Sequence, residues 1–225
     1  MARAALALVD AGGLESLTMR RLATALDSQL PTIYRLFDGK GALMDEMANL
    51  VLAGVLDRLP HHWTGKAARP ANATSPPAAT GPITPGWPDE MDWADRITAL
   101  FNTVRQVLLA QRDGARIVGG SYATKSHTQT HLLAETGLEI LATAGFPPDT
   151  ALRACTTLFS YTLGEVLEQQ GTAGNEPETM NSTVDTGAYP HLTAASVDVF
   201  LDFDARFAFG VGVVVAGVRG ELGKV

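Results

Sequence analysis

The stretch that decides the fold runs from Leu14 to Phe37 and reads LESLTMRRLATALDSQLPTIYRLF. Thr18 is placed to cap a short amphipathic helix, because its hydroxyl oxygen can accept a hydrogen bond from an N–H of the first turn. The buried stripe of this helix comprises Leu22, Ala23 and Leu26. A tight turn at 27–29 separates it from a second short helix over 30–37, in which Pro31 occupies the first turn, where a missing N–H costs nothing. Two short helices across a three-residue turn predict a helix-turn-helix, whose second helix fits the major groove of DNA.

Helical periodicity continues through most of the remaining sequence, whereas strand patterns are nearly absent. Apolar residues three and four positions apart predict helices over 93–108 and 152–167, and a shorter helix over 135–144 that Gly145 ends. Residues 203–218 are apolar almost all round, which predicts a helix buried against a partner subunit. A buried strand is the alternative for the valine run in this last segment. We therefore predict an all-α fold.

Two segments without periodicity divide the chain. Residues 60–90 hold seven of the twelve prolines and predict a flexible loop or linker, because proline removes backbone donors and blocks helix. Residues 171–190 predict a second, polar loop. We expect a three-helix helix-turn-helix domain over 1–45 and a larger helical domain over 46–225.

The formal net charge of −7 argues at first against a nucleic-acid partner, since DNA-binding proteins usually carry a basic surface. The acidity is unevenly distributed along the chain. Residues 1–59 carry six basic and seven acidic side chains, whereas residues 91–225 carry nine and fifteen. DNA binding is therefore not excluded, but we expect it to be salt-sensitive and to require two subunits.

Other features exclude several classes of protein. Cys155 is the single cysteine, so there is no intrachain disulfide framework. No uninterrupted apolar run reaches the roughly 18 residues of a membrane span, and the N-terminus lacks a signal-peptide pattern, so we expect a cytoplasmic protein without a membrane partner. His127 and His131 are four residues apart, but the residues between them lack the glutamate of a zinc hydrolase. No nucleophile elbow or glycine-rich phosphate loop occurs, and we expect no metal, no cofactor and no enzymatic activity.

The sequence resembles the tetracycline-repressor (TetR) family of transcriptional regulators. The resemblance is carried by AALALVDAGGLESLTMRRLA at 4–23 and PTIYRLF at 31–37. It continues in RDGAR at 112–116, AGF at 144–146 and YTLGEVLEQQ at 161–170. The later segments are similar to the regulatory domain of the tetracycline-repressor subgroup, so 46–225 is expected to bind a ligand and to dimerise.

The resemblance implies a set of DNA contacts in and around the helix-turn-helix. Those residues are Thr18, Arg20, Leu30, Pro31, Thr32, Tyr34, Arg35 and Lys40. Their chemistry agrees for several of them: Arg35 suits a guanine edge or a phosphate, Pro31 suits a thymine methyl group, and Lys40 suits a phosphate.

Three departures from the family pattern affect these expectations. Asp27 replaces the usual turn glycine, and aspartate tolerates a left-handed backbone less well than glycine but better than most residues. Leu30 and Leu36 replace residues that are commonly polar, so we expect the operator to differ from the tetracycline operator. The basic leader that usually precedes the first helix is missing before Met1, which leaves open a truncated or misassigned start and the backbone contacts of that leader.

The resemblance also implies a homodimer. Two long helices, at about 150–169 and 203–219, are expected to pair with their symmetry mates in a four-helix bundle. Two-fold symmetry then places two recognition helices one DNA turn apart, which predicts a palindromic operator of double-stranded DNA.

The effector site is expected to differ from that of the tetracycline repressor, which binds a drug–magnesium chelate. Val118 stands where the metal-ligating histidine of the subgroup falls, and Leu56, Leu100 and Gly137 stand at other polar drug contacts, whereas Glu168 keeps an acidic position that reaches the pocket from the second subunit. Valine cannot ligate Mg²⁺, so we predict that the magnesium-dependent mode is lost. The predicted lining is Leu56, Leu100, Phe101, Val104, Val118 and Phe159, with Ser121, Tyr122, Tyr161 and Glu168 as polar anchors. This lining suits a mostly apolar small molecule; the alternative is that the apolar residues fill the core without a cavity.

We therefore predict a ligand-responsive regulator of transcription, a repressor released from its operator by a small-molecule effector. The alternative is a helical small-molecule-binding protein with impaired DNA binding, and salt-dependent binding to DNA separates the two.

Overall fold

The computed structural model describes residues 1–59, 86–121, 128–172, 188–194 and 197–222. These residues form helices and connecting turns without a strand, so the predicted all-α fold is confirmed. Most of the proline-rich segment predicted as a loop (60–85), most of the second predicted loop (173–187), and His127 lie outside the described residues.

The N-terminal part is a helix-turn-helix preceded by one further helix, as predicted. We call residues 1–38 the head. Its elements are α1 (Ala2–Gly12), a 3₁₀ turn (Leu14–Ser16), α2 (Met19–Ala25) and α3 (Leu30–Leu36). The predicted cap is confirmed, because Thr18 Oγ1 accepts a hydrogen bond from the Arg21 N–H at 3.1 Å. Asp27 takes φ +45° in the turn, a left-handed conformation that aspartate tolerates better than most residues.

The fourth helix, α4 (Gly39–Leu56), joins the head to the rest of the chain. It contacts α1 on one side and three helices of the larger domain on the other. Leu43, Met47, Leu52 and Val55 are almost completely buried along its length. The predicted boundary between residues 45 and 46 falls inside this continuous helix, which makes α4 a part of both halves.

The larger domain comprises the described residues from 86 to 222. Its helices are α5 (Trp93–Ala110), α6 (Gly114–Ser121), α7 (Thr128–Thr143), α8 (Pro148–Thr172), α9 (Pro190–Ala194), α10 (Val197–Leu201) and α11 (Phe203–Arg219). The predicted buried face of α5 is confirmed, since Leu100, Phe101, Val104 and Leu108 are at most 3% exposed. The alternative of a strand for the C-terminal valine run is wrong, because these residues lie in α11.

Two helices are longer than the sequence predicted. α7 begins at Thr128 rather than at residue 135, although it ends as predicted: Gly145 takes φ +90° and the Phe146 N–H donates back to Leu141 O at 3.1 Å. α8 continues to Thr172, past the predicted start of the loop at 171. Contacts with another helix account for this extension of α8. Gln170 Nε2 donates to Leu108 O at 3.1 Å and to Gln111 O at 2.8 Å, and these bonds hold the last turns of α8 against the end of α5.

α8 and α11 approach each other closely at Gly210. A Cβ atom at this position would lie 2.1 Å from Tyr161 Oη, so the phenol ring occupies the space that a side chain would need. The Tyr161 hydroxyl donates to Arg206 O at 2.8 Å, and its ring stacks on Phe207 with centroids 5.8 Å apart. The Tyr161 ring lying over Gly210 is therefore one of the contacts that position α11 on α8.

Candidate functional site

The outward face of α3 carries the residues expected to contact DNA. Ile33 is completely buried and anchors the helix in the head, and Leu30 packs against the same core with part of its surface exposed. Pro31, Tyr34 and Arg35 point away from this anchor and are exposed. Thr32 is half-buried at the edge of the same face. The structure thus brings the predicted residues of α3 to one surface, except that Leu30 is partly used for packing.

Three further predicted contacts lie outside α3 in the sequence and are exposed: Thr18, Arg20 and Lys40. The oxygen of Thr18 serves the helix cap, which leaves its hydroxyl hydrogen for an acceptor such as a phosphate oxygen. Arg20 and Arg21 are neighbours with different surroundings. Arg21 Nη1 donates to Ser16 O at 2.9 Å, whereas the Arg20 guanidinium makes no hydrogen bond or ion pair with the described residues.

The head is fastened to the larger domain by a set of polar contacts that we call the clamp, formed by residues 10–15 and 111–116. Asp113 Oδ2 accepts a hydrogen bond from the Leu14 N–H at 2.7 Å. On the other side, Asp10 Oδ1 accepts from Gln111 Nε2 at 2.5 Å and from the Arg112 N–H at 3.3 Å. The loop after α5 therefore holds both the end of α1 and the start of the 3₁₀ turn.

Arg116 adds charge to the clamp. Its guanidinium bonds to Glu15 of the head and lies 3.2 Å from Asp113 Oδ1. The pKa of Glu15 lies below its usual value, chiefly because of the hydrogen bond and positive charge of Arg116, with a smaller contribution from Lys40. The hydrogen bond with Glu15 in turn raises the pKa of Arg116.

The RDGAR motif of the clamp is visible in the sequence, but nothing in the sequence indicates that it attaches the head to the larger domain. Gly13 takes φ +77°, a positive value that favours glycine. A Cβ atom there would lie 3.2 Å from the Arg112 guanidinium, so the absence of a side chain also leaves room for Arg112. Asp113 has φ +56°, another left-handed residue. The partners are about a hundred residues apart, so their pairing becomes visible only in the structure.

The predicted apolar lining of the effector site lies in one hydrophobic cluster. All six side chains are at most 7% exposed: Leu56, Leu100, Phe101, Val104, Val118 and Phe159. Gly137 of α7 faces this cluster, and a Cβ atom there would lie 2.8 Å from Cys155 Sγ and 3.6 Å from Leu100 Cδ2. This cluster extends through both the head and the larger domain, and two surface depressions in the described part of the chain lie elsewhere, one of them along α8 at Asp149–Thr157.

Two of the predicted polar anchors, Tyr161 and Glu168, have partners within the chain. Glu168 Oε2 accepts a hydrogen bond from Arg206 Nη2 at 2.6 Å, and Glu165 Oε1 accepts from the same nitrogen at 3.1 Å. The pKa of Tyr161 is raised by burial and, secondarily, by the negative charge of Glu165. Ser121 ends α6, and Tyr122 lies outside the described residues.

The sequence pattern gave no sign of a buried arginine in α5. Arg105 is 8% exposed and forms an ion pair with Asp204 at 2.7 Å and a hydrogen bond to Gln169 Oε1 at 2.8 Å. Its guanidinium also lies 5.1 Å from the centroid of the Phe207 ring. These partners come from α8 and α11, so the apolar stripe of α5 gave no signal of a charge among its neighbours.

α8 and α11 also expose several large apolar side chains. Phe209 is 75% exposed and Val213 is 55% exposed on α11, while Leu152 and Leu167 are about half exposed on α8. Exposed apolar patches of this kind are typical of protein–protein contacts.

The described residues contain no group of three histidine, cysteine or acidic side chains placed to hold a metal ion. His131 is exposed on α7. Burial raises the pKa of the Cys155 thiol to about 12, which keeps it in the neutral, poorly nucleophilic form. Among the described helices, none has the length and apolar character needed to cross a bilayer.

Comparisons with known proteins agree with this architecture. The family model "Bacterial regulatory proteins, tetR family" matches residues 2–47, and "Tetracyclin repressor-like, C-terminal domain" matches residues 85–222. The tetracycline repressor protein class A of transposon 1721 from Escherichia coli is 32% identical over 218 residues, covering 96% of this chain and 87% of that protein.

Two solved structures are similar over almost the whole chain. A possible TetR family transcriptional regulator from Streptomyces coelicolor A3(2) superimposes with a TM-score of 0.79 at 31% identity, covering 97% of each chain. A TetR variant from Acinetobacter baumannii AYE, solved in complex with minocycline, has a TM-score of 0.66 at 28% identity and covers 97% of this chain and 93% of its own. With both family models and these relatives matching the helix-turn-helix and the larger domain together, the chain belongs to the TetR family of bacterial transcriptional regulators.

Proposed function

We propose that this protein is a repressor that binds a palindromic operator as a homodimer and releases it when a small molecule binds. The observation that carries the proposal is the surface of α3. Its buried Ile33 fixes the helix in the head, the exposed Pro31 and Arg35 lie on the opposite side, and the exposed Tyr34 lies towards one edge of that side. A rigid short helix with such a face suits the major groove, while the exposed Arg20 and Lys40 suit phosphates on either side of it.

Dimerisation is supported by the exposed apolar side chains of α8 and α11. Phe209 and Val213 project from α11 and would gain burial against the same helices of a second copy. Such a dimer presents two α3 helices related by a two-fold axis, so the operator would be palindromic with half-sites about 34 Å apart. Each head is close to neutral, so useful affinity would depend on both heads binding together.

The effector would be a mostly apolar small molecule. The predicted lining on α4, α5, α6 and α8 belongs to the hydrophobic core, and ligand pockets are lined predominantly by apolar side chains of this kind. Val118 offers no oxygen or nitrogen to a metal ion, and Glu168 is paired with Arg206. We therefore infer that the magnesium–tetracycline mode does not operate here, even though a relative has been solved with minocycline.

Release of DNA would follow from differential binding. Residues 1–45 would form the DNA-binding unit and residues 46–225 the ligand-binding and dimerisation unit, with α4 common to both. An effector that prefers a conformation with the wrong spacing of the two heads lowers operator affinity by the ratio of its affinities for the two conformations.

The test uses the full-length chain and the DNA upstream of its own gene. We expect a retarded complex whose affinity falls steeply between about 50 and 200 mM salt, with protection on two symmetric half-sites. Phe209→Asp should yield monomers in sedimentation and lose the complex, whereas Glu135→Ala, an exposed change on α7, should do neither. A wild-type protein that binds all DNA equally, or none, contradicts the proposal, and a magnesium-dependent release by tetracycline contradicts the inferred effector class.

A further inference from the structure

Arg35 occupies the centre of the outward face of α3. Successive residues of an α-helix are rotated by about 100°, so Arg35, two residues after Ile33, lies about 200° from it. Ile33 is completely buried and therefore marks the inward direction. Pro31, two residues before Ile33, also lies almost opposite Ile33, whereas Tyr34 lies nearer to one edge of the outward face. The side chain of Arg35 is thus aimed where the floor of a groove would lie, rather than at the strands that border it.

Arg35 is also unengaged within the described part of the protein. Its guanidinium makes no hydrogen bond or ion pair with any residue that the structure describes, and it is exposed. It is the one charged side chain in the sequence LPTIYRL of α3. Arg21 differs, because its guanidinium is already bonded to Ser16 O. All the donors of Arg35 therefore remain for a partner outside the described part of the protein.

The chemistry of that partner follows from position and shape. A guanidinium presents two parallel N–H groups, and in the major groove a guanine presents two acceptors, O6 and N7, at matching spacing. Arg20, Lys40 and the Thr18 hydroxyl are exposed outside α3 and can supply contacts to phosphates. We propose that Arg35 reads one guanine in each half of the operator and so sets the sequence preference of this regulator. This proposal rests on the proposed function.

The first experiment identifies the preferred DNA. Full-length protein is used to enrich binding sequences from a random double-stranded library, and the same selection is run with Arg35→Ala. We expect the wild type to enrich a symmetric motif with one invariant G·C pair per half-site, and the variant to enrich the same motif with that pair degenerate. Arg58→Ala, which removes another exposed cation near the end of α4, should leave the motif unchanged.

The second experiment tests the contact itself. In the enriched duplex, the invariant guanine is replaced by 7-deazaguanine, which keeps base pairing and loses the N7 acceptor. We expect wild-type affinity to fall about tenfold, as for the loss of part of a bidentate base contact, and the affinity of Arg35→Ala to stay unchanged by the replacement. Arg35→Lys keeps the positive charge but cannot present two parallel N–H groups. Its affinity should therefore fall less on the modified base than the affinity of the wild type.

Three outcomes overturn the proposal. A wild type indifferent to 7-deazaguanine, combined with a uniform loss of affinity and a shallower salt dependence in Arg35→Ala, assigns Arg35 to a phosphate. A motif without an invariant guanine also overturns it, while leaving sequence-specific binding intact. If the folded wild type, checked by circular dichroism, enriches no sequence at all, the proposed function fails as well.

Discussion

Replacing Asp113 with alanine should loosen the attachment of the head to the larger domain. The carboxylate accepts a hydrogen bond from the Leu14 N–H at 2.7 Å and lies 3.2 Å from Arg116. Alanine removes both contacts and leaves the Leu14 N–H, which is partly buried, without its acceptor. It must also adopt the left-handed conformation at φ +56°, which alanine disfavours more than aspartate.

The magnitude follows from these three effects. Loss of a charged acceptor from a partly buried N–H costs about 1.5–3 kcal/mol, and the backbone conformation adds about 1 kcal/mol. The contact with Arg116 adds less than about 1 kcal/mol, because that side chain is 41% exposed and its charge is screened. We expect Asp113→Ala to lower the free energy of unfolding by about 3 kcal/mol. Asp113→Asn tolerates the same conformation and keeps an acceptor, so it should cost about 1 kcal/mol.

The assay is urea unfolding followed by circular dichroism at one fixed protein concentration, because the stability of the proposed dimer would depend on concentration. Amide hydrogen exchange at Leu14 gives a local measurement, and we expect it to accelerate in Asp113→Ala more than in Asp113→Asn. Glu135→Ala serves as the control, since Glu135 is exposed on α7. If alanine and asparagine variants unfold alike, or if Leu14 exchange stays at the wild-type rate, the assignment of this contact as the attachment of the head is wrong.

Three other predictions concern the interior of the larger domain. Gly210→Ala should destabilise the fold by at least about 3 kcal/mol in thermal unfolding, because the new methyl group meets the Tyr161 ring, and Tyr161→Ala in the same chain should recover part of that loss. Gly137→Ala should lower the free energy of unfolding by about 1–3 kcal/mol, because the new methyl group meets Cys155. In a double-mutant cycle with Cys155→Ala, the double variant should lose less stability than the sum of the two single variants. Cys155 itself should react with thiol reagents only after unfolding. Since its pKa rises from 9.0 to about 12 on folding, its contribution to stability is complete below pH 9 and is lost as the pH rises towards 12.

Local patterns predicted the helix-turn-helix well. Thr18, the turn at Asp27 and the first-turn proline of α3 act through neighbours a few residues away, and the structure has each of them in the predicted role. The apolar faces of α5, α8 and α11 were also readable, because burial of a helix face imposes its own spacing on the sequence.

What the sequence did not predict depends on distant partners. The end of α8 is held by the contacts of Gln170 with the end of α5, so a glycine at 171 did not end the helix. Arg105 is buried because Gln169 and Asp204 come to it from other helices. Glu168 was predicted as a ligand anchor from resemblance alone. Its partner Arg206 is 38 residues away in the sequence, so the pairing becomes visible only in the structure.

The clamp also limits how such regulators can be recombined. Its contacts join residues 10–15 to residues 111–116, so each side is shaped for the other: Gly13 leaves room for Arg112, and Asp113 accepts from Leu14. A chimera that joins the head of this protein to the larger domain of a relative would keep only one side of these contacts. Transplanting residues 111–116, the loop after α5 and the start of α6, with the head would restore them, which makes this segment part of the portable DNA-binding module despite its distance in sequence.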